Sequence, residues 1–222
     1  MATWNSRGLR GSVLEDMINR TNEKYEEAGL ALIQKVPTPI TPINIDKETR
    51  HITLAYFEQK STVDYIGAVQ GIPVCFDAKE CAADTFALAN IHEHQVEFMQ
   101  KFEKQGGIAF FLIYYTHKDL MYYLPLEMLL YFWNRAKEGG RKSFRYEELN
   151  PAYIIPKKGG VLVPYLEAMK KDLEDREESY RAGVRVCCSL RKTPFSDCVP
   201  APFRPVCLVA DTLSLGPRRS GT

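Results

Sequence analysis

One stretch, Thr62–Glu80 (TVDYIGAVQGIPVCFDAKE), constrains the fold of this 222-residue chain more than any other. Gln70 and Gly71 form a two-residue hairpin signal between two β-prone runs. The pairing this implies runs Val69 with Ile72, Ala68 with Pro73, and onward until Asp64 faces Asp77. Directly opposed side chains have Cβ atoms about 5 Å apart. Alternation along the second strand places Asp77 and Lys79 on one face and Phe76 and Ala78 on the other. Pro73 is the weak point of this register, because a proline removes a ladder donor and can mark a bulge.

Two carboxylates and an amine so placed allow two readings. A hard divalent cation such as Mg²⁺ takes one or two carboxylates and fills its shell with water. A neighbouring ammonium can then assist an attacking water or stabilise charge growing on a phosphate oxygen, which is the chemistry of phosphodiester hydrolysis. In the other reading Asp64 and Asp77 are solvated on an open sheet face, with Lys79 as their ion partner. Facing like charges destabilise a hairpin, so the pair calls for a reason.

The length suits one well-filled core with a small appendage. No apolar run reaches the roughly 18 residues of a membrane span, and the amino terminus, MATWNSRGLRGS, lacks the apolar region of a secretory signal. A cytoplasmic protein is expected, with all six cysteines as free thiols. The formal charge of +1 hides an asymmetry: residues 182–222 hold six basic and two acidic residues, leaving 23 basic and 26 acidic in residues 1–181. Any nucleic-acid surface must therefore gather its cations locally.

Around the central stretch the chain reads as alternating helices and strands. Arg7 and Arg10 lie in a basic arm, a candidate for phosphate contacts. Ser12 and Glu15 form a capping box for a helix whose buried face is Leu14, Ile18, Thr21 and Tyr25, ending at Gly29. Leu30 to Val36 is a short strand. The prolines of Pro37 to Pro42 are expected to forbid regular pairing, and Ile43 to Phe57 reads as a hairpin or extended ribbon with a turn at Lys47, to which Lys35, Lys47, Arg50, His51 and Lys60 give a cationic side. A helix begins near Asn90 and ends at Gln105, with Gln95, Met99 and Phe102 on one face. Gln95 is either a polar surface residue or a group that orients a water or phosphate. His92 and His94 are expected to point apart, as i,i+2 residues do on a helix.

Ile108 to Tyr115 is apolar enough for a strand buried on both faces, with Leu120 to Leu124 as its neighbour. Leu126 to Glu138 forms a helix whose Met128, Tyr131, Phe132 and Trp133 are expected mostly in the core. Gly139 to Ser143 sets Arg141 and Lys142 on flexible backbone, a second candidate phosphate contact. A last helix runs from Tyr165 to about Arg181. Residues 182–222, with five of the thirteen prolines and four of the six cysteines, are expected to form a weakly structured tail.

The ordered blocks LEDMINRTNEKY, KVPTPITPINID, AYFEQKSTVDYIG, FDAKE, NIHEHQVEFM, GGIAFFLI, LLYFWNRAKEGGRKS and PYLEAMKKDL together resemble the RecU family of bacterial Holliday junction resolvases, in the PD-(D/E)XK nuclease superfamily. The resemblance spans residues 7–181. It implies an α/β, restriction-endonuclease-like fold with a mixed central sheet flanked by helices, and a projecting β-ribbon stalk over about residues 37–57. The nuclease domain would occupy residues 1–181. It further implies a homodimer that resolves four-way DNA junctions by symmetrical, Mg²⁺- or Mn²⁺-dependent cleavage in homologous recombination and DNA repair. A RecA-type recombinase would be a possible further partner. On the matching positions, Asp64 and Asp77 would be the metal-binding acids, Asp77 standing where the family often has glutamate, and Lys79 the motif's lysine. Glu15 and Gln95 would be supporting catalytic residues. A non-catalytic junction-binding or recombinase-regulating protein is the alternative.

Overall fold

The computed structural model describes residues 13–37, 40–57, 62–157 and 160–191. Its centre is a six-stranded mixed sheet, with α1 (Val13–Glu27) and α4 (Tyr165–Arg191) on one face and α2 (Glu93–Lys104) and α3 (Leu126–Lys137) on the other. The sheet is built from β1 (Ala31–Lys35), β4 (Tyr65–Val69), β5 (Ile72–Cys81), β7 (Ile108–Tyr115), β8 (Leu120–Pro125) and β10 (Ile154–Ile155), hydrogen-bonded in that order. Only the β5–β7 pair is parallel; α2 provides the crossover between these strands, and the remaining pairs are antiparallel. Two small ribbons stand apart from this sheet: β2 (Ile40–Ile45) with β3 (Ile52–Phe57), and β6 (Thr85–Ala87) with β9 (Ser143–Arg145).

Sequence periodicity explains most of these elements. On α1, Leu14, Ile18, Thr21 and Tyr25 are buried, as their spacing requires, and Gly29 leaves the helix at φ +65°. Ser12 of the expected capping box lies outside the described residues. β7 is buried along nearly its whole length because neighbouring strands flank it and helices cover both faces.

The core on the α1–α4 face is an aromatic row crossing four strands. Phe76 stacks between Tyr65 (4.7 Å between ring centroids) and Phe110 (4.8 Å), and Phe110 continues to Tyr123 (4.3 Å). Tyr165 of α4 closes over Phe76 and meets Tyr25 of α1 edge-on. Such rings combine a large buried area with preferred geometry, which fixes how α1 and α4 seat on the sheet.

Three expectations need correction. α4 continues to Arg191, about ten residues past the expected end, because Gly183 costs a helix only about 1 kcal/mol and its neighbours tolerate helical backbone; residues 192–222 lie outside the described residues. Regular pairing of β2 with β3 starts at Ile40 and passes through Pro42, because a proline on a two-stranded ribbon can turn its missing N–H away from the partner strand, and the register shifts just beyond it; on α3, as expected for most of its bulky residues, Phe132 is buried and Met128 and Trp133 pack partly, while Tyr131 is 65% exposed. The β2–β3 ribbon is apolar along its strands, exposing Ile40, Ile43, Ile45, Ile52, Leu54 and Tyr56. Its cations, Lys47, Arg50 and His51, are confined to the tip, where Asp46 accepts hydrogen bonds from Glu48 N (3.0 Å) and Thr49 Oγ1 (2.7 Å).

Candidate active site

The hairpin that presents the two aspartates forms in the expected register. Gln70 (φ +47°) and Gly71 (φ +86°) both adopt the left-handed conformation that a twist-matched two-residue turn needs. Val69 then pairs with Ile72, Ala68 with Pro73, and so on to Tyr65 with Phe76. Pro73 causes no slip. In a two-residue hairpin the pair next to the closing one exchanges no backbone hydrogen bonds, so the missing N–H faces away from β4. On that side β7 begins only opposite Val74, and the missing donor has no partner to lose.

One step beyond the last pair, Asp64 meets Asp77. The Asp64 amide donates to Asp77 Oδ1 (3.2 Å), and the Ala78 amide donates to Asp64 Oδ2 (3.0 Å). Lys79 Nζ forms an ion pair with Asp77 Oδ2, its side chain 20% exposed and that of Asp77 fully buried. From α2, Gln95 Nε2 donates to both Asp77 oxygens at 3.2 Å, while its Oε1 accepts from the His92 amide (3.2 Å). Gln95 is therefore a buried clamp on Asp77. The sequence shows the helical face that carries it; that this face packs over β5 is a tertiary fact.

Burial is the largest influence on Asp77, followed by the hydrogen bond and charge of Asp64; together they push its carboxyl up to about 7, with Lys79 pulling the other way. A buried carboxylate beside a second acid, with one lysine to offset both, favours an added cation. The donor set of hard oxygens fits Mg²⁺ or Mn²⁺, with waters or substrate oxygens filling the remaining positions. Among the described residues no three His, Cys, Asp or Glu side chains gather as a metal cluster.

Glu15 and Lys35 occupy each other: Glu15 Oε2 and Lys35 Nζ are 2.8 Å apart, joining α1 to β1. The expected acid and the expected DNA contact thus form a link between elements. Glu80, which has no part in the aspartate–lysine motif, accepts from the Leu14 amide at 3.1 Å and so holds the start of α1 against β5. Strand alternation was its only signal, since Glu80 must face away from Asp77 and Lys79. Cys75 and Cys81 are free and buried. The side chains of Cys187, Cys188, Cys198 and Cys207 are outside the described residues.

The remaining candidate contacts are dispersed. Lys47, Arg50 and His51 are at the ribbon tip, and Lys142 is exposed beside β9. Arg141 lies 3.5 Å from Glu148, which also holds Arg135 at 2.8 Å. Arg7, Arg10 and Lys60 fall outside the described residues. His92 and His94 do not point apart: His92 precedes α2 in extended backbone, so the two rings stack with centroids 5.4 Å apart and planes 9° from parallel.

Fold and site define a mixed α/β protein that carries an aspartate pair and a lysine on a central hairpin and clamps the second acid from the following helix. Residues 9–171 match the family model described as Recombination protein U, and the chain belongs to the RecU family. The Holliday junction resolvase RecU of Oceanobacillus iheyensis is 46% identical over 167 residues, covering 73% of this chain and 85% of that protein. The one from Limosilactobacillus reuteri is 40% identical over 167 residues, covering 73% and 82%. Among solved structures, the Holliday junction resolvase Hjc of Archaeoglobus fulgidus aligns with a TM-score of 0.35 and 12% identity, covering 53% of this chain and 78% of that one.

Proposed function

We propose that this protein is a structure-selective DNA endonuclease that resolves Holliday junctions, with Asp64 and Asp77 holding a divalent cation, Mg²⁺ or Mn²⁺. The observation that carries this reading is the buried Asp77 carboxylate, faced by Asp64, paired with Lys79 and clamped by Gln95. Its family membership supplies the substrate class.

Each side chain then has a definable part. Gln95 fixes the plane of the Asp77 carboxylate by touching both oxygens, so the acid does not rotate to follow a mobile ligand. The Ala78 amide holds one Asp64 oxygen and leaves the other available. Lys79, tethered to Asp77, supplies positive charge where a phosphate oxygen gains negative charge in the transition state. When bound, the cation polarises the phosphoryl group and lowers the pKa of a coordinated water. Symmetrical cleavage of two strands needs two such sites, so the working form is a homodimer. The tip cations Lys47, Arg50 and His51 reach the branched DNA away from the aspartate pair.

The test is a pair of conservative substitutions, Asp64→Asn and Asp77→Asn, assayed on a labelled four-way junction with Mg²⁺. Each is expected to lower cleavage by at least 100-fold, roughly the loss of one major electrostatic catalytic element. Binding of the same junction in EDTA should change little, because phosphate contacts come from other residues. Near-normal cleavage by either variant would remove the assignment, and the non-catalytic alternative gains if the unaltered protein binds the junction without cutting it.

A further inference from the structure

The loop after α3 and the residues leading into α2 lie side by side. Residues 135–145 hold five basic residues and one acidic. The Leu88 amide donates to the Lys142 carbonyl at 3.1 Å, which extends the β6–β9 pairing and sets Lys142 beside the segment that enters α2. A few residues on come His92 and His94 with their stacked rings, then Gln95 on Asp77. Lys137 at the end of α3 reaches Glu93, between the two histidines, at 3.4 Å; both partners are more than half exposed. An ion pair so exposed is worth little and is readily exchanged for a stronger anion.

The helices on the opposite face are acidic. α1 carries five acidic and two basic residues, and residues 165–181 of α4 carry six and four. A polyanion approaching Asp77 is repelled by those helices and attracted by the segment 135–145, where Lys137 and Lys142 remain after Arg135 and Arg141 pair with Glu148.

We propose that Lys142, Lys137, His92 and His94 form a phosphate track that carries the backbone of one DNA arm along the α3–α2 side toward the Asp64–Asp77 pair. This rests on the nuclease reading and goes beyond it by assigning a path for the strand next to the scissile phosphate. The lysines supply charge to successive phosphates, and the histidines supply ring N–H donors close to the site. The two rings lie side by side, 5.4 Å apart between centroids.

Binding to a fluorescent four-way junction in EDTA, titrated over KCl from 50 to 200 mM, tests the track. For Lys142→Ala and Lys137→Ala the log–log salt slope should become shallower by about 0.9 for each phosphate no longer neutralised, so that the affinity change across this range shrinks by about threefold per lysine removed. His94→Ala should weaken binding several-fold, since it removes a ring N–H donor beside the site. Lys170→Ala on α4 should alter neither quantity. Unchanged slopes for both lysine variants with unchanged affinity for His94→Ala would overturn the track while leaving the nuclease reading in place. An equal effect from Lys170→Ala would also overturn it, because the charge would then act without position. Failure of the unaltered protein to bind the junction would instead remove the nuclease reading itself.

Discussion

Asp77 is fully buried, with a second carboxylate facing it and one lysine offsetting both. Its proton is held up to about 7 against an ordinary value of 3.8, so between these limits the folded metal-free protein binds a proton that the unfolded chain has released. Stability of the metal-free protein should therefore fall as pH rises from about 4 to 7 and level off above. Asp64→Asn removes the facing charge, keeps an oxygen for the Ala78 amide and offers Asp77 an N–H donor. It is expected to raise the melting temperature in EDTA at pH 8 and to flatten part of the pH dependence, the part due to burial of Asp77 remaining. Thermal unfolding of both proteins from pH 4 to 8 checks this; a lower melting temperature for Asp64→Asn at pH 8 would contradict it. At this scale the aspartate pair and Lys79 could be read from the sequence because hairpin register is counting. The Glu15–Lys35 pair and the Gln95 clamp could not, since each joins residues on different elements whose packing is not encoded in local spacing.

The elements themselves were mostly legible because their patterns are strong: β7 is a continuous apolar run, and α1 repeats its apolar residues at helical spacing. The junction between β1 and β4 shows what patterning leaves out. Gly67 pairs with Ile33, and a Cβ at that position would lie 2.1 Å from the Leu32 carbonyl oxygen and 2.8 Å from Ile33 Cα. Both are backbone atoms, so the clash cannot be relieved by a rotamer change. β1 must move, and with it the Lys35–Glu15 link and the approach to the ribbon. Gly67→Ala should therefore cost about 1–3 kcal/mol, as overpacking does. A urea midpoint that drops with little change in slope is the expected signature; an unchanged midpoint would mean that β1 shifts without cost. Nothing in the alternation of YIGAV announces this glycine as a packing requirement, because the constraint comes from the neighbouring strand.

Across the whole molecule, the acidic helices α1 and α4 and the basic segment 135–145 give the body one electrostatic orientation toward DNA. The β2–β3 ribbon adds a second, independent feature: its strands pair only with each other and join no strand of the central sheet. Sequence located the ribbon through its flanking prolines but misjudged its surface, since counting cations over a span does not reveal that they collect at the turn. A two-stranded ribbon with six exposed apolar side chains is marginal in water on its own, and an apolar surface of this kind is a contact surface. The central sheet does not need the ribbon in order to form, whereas recognition of a branched substrate gains from a projection that duplex DNA does not engage in the same way. Replacing residues 40–57 with a short Gly-Ser linker should leave the melting temperature of the body within a few degrees, while affinity for a four-way junction falls toward that for linear duplex of equal length. Comparing both affinities at one stated salt concentration separates the effect of shape from the effect of charge, because the substitution also removes Lys47, Arg50 and His51. A triple substitution of those three residues by alanine supplies the control: if it alone abolishes the preference for the junction, the tip charges rather than the ribbon's shape read the branch.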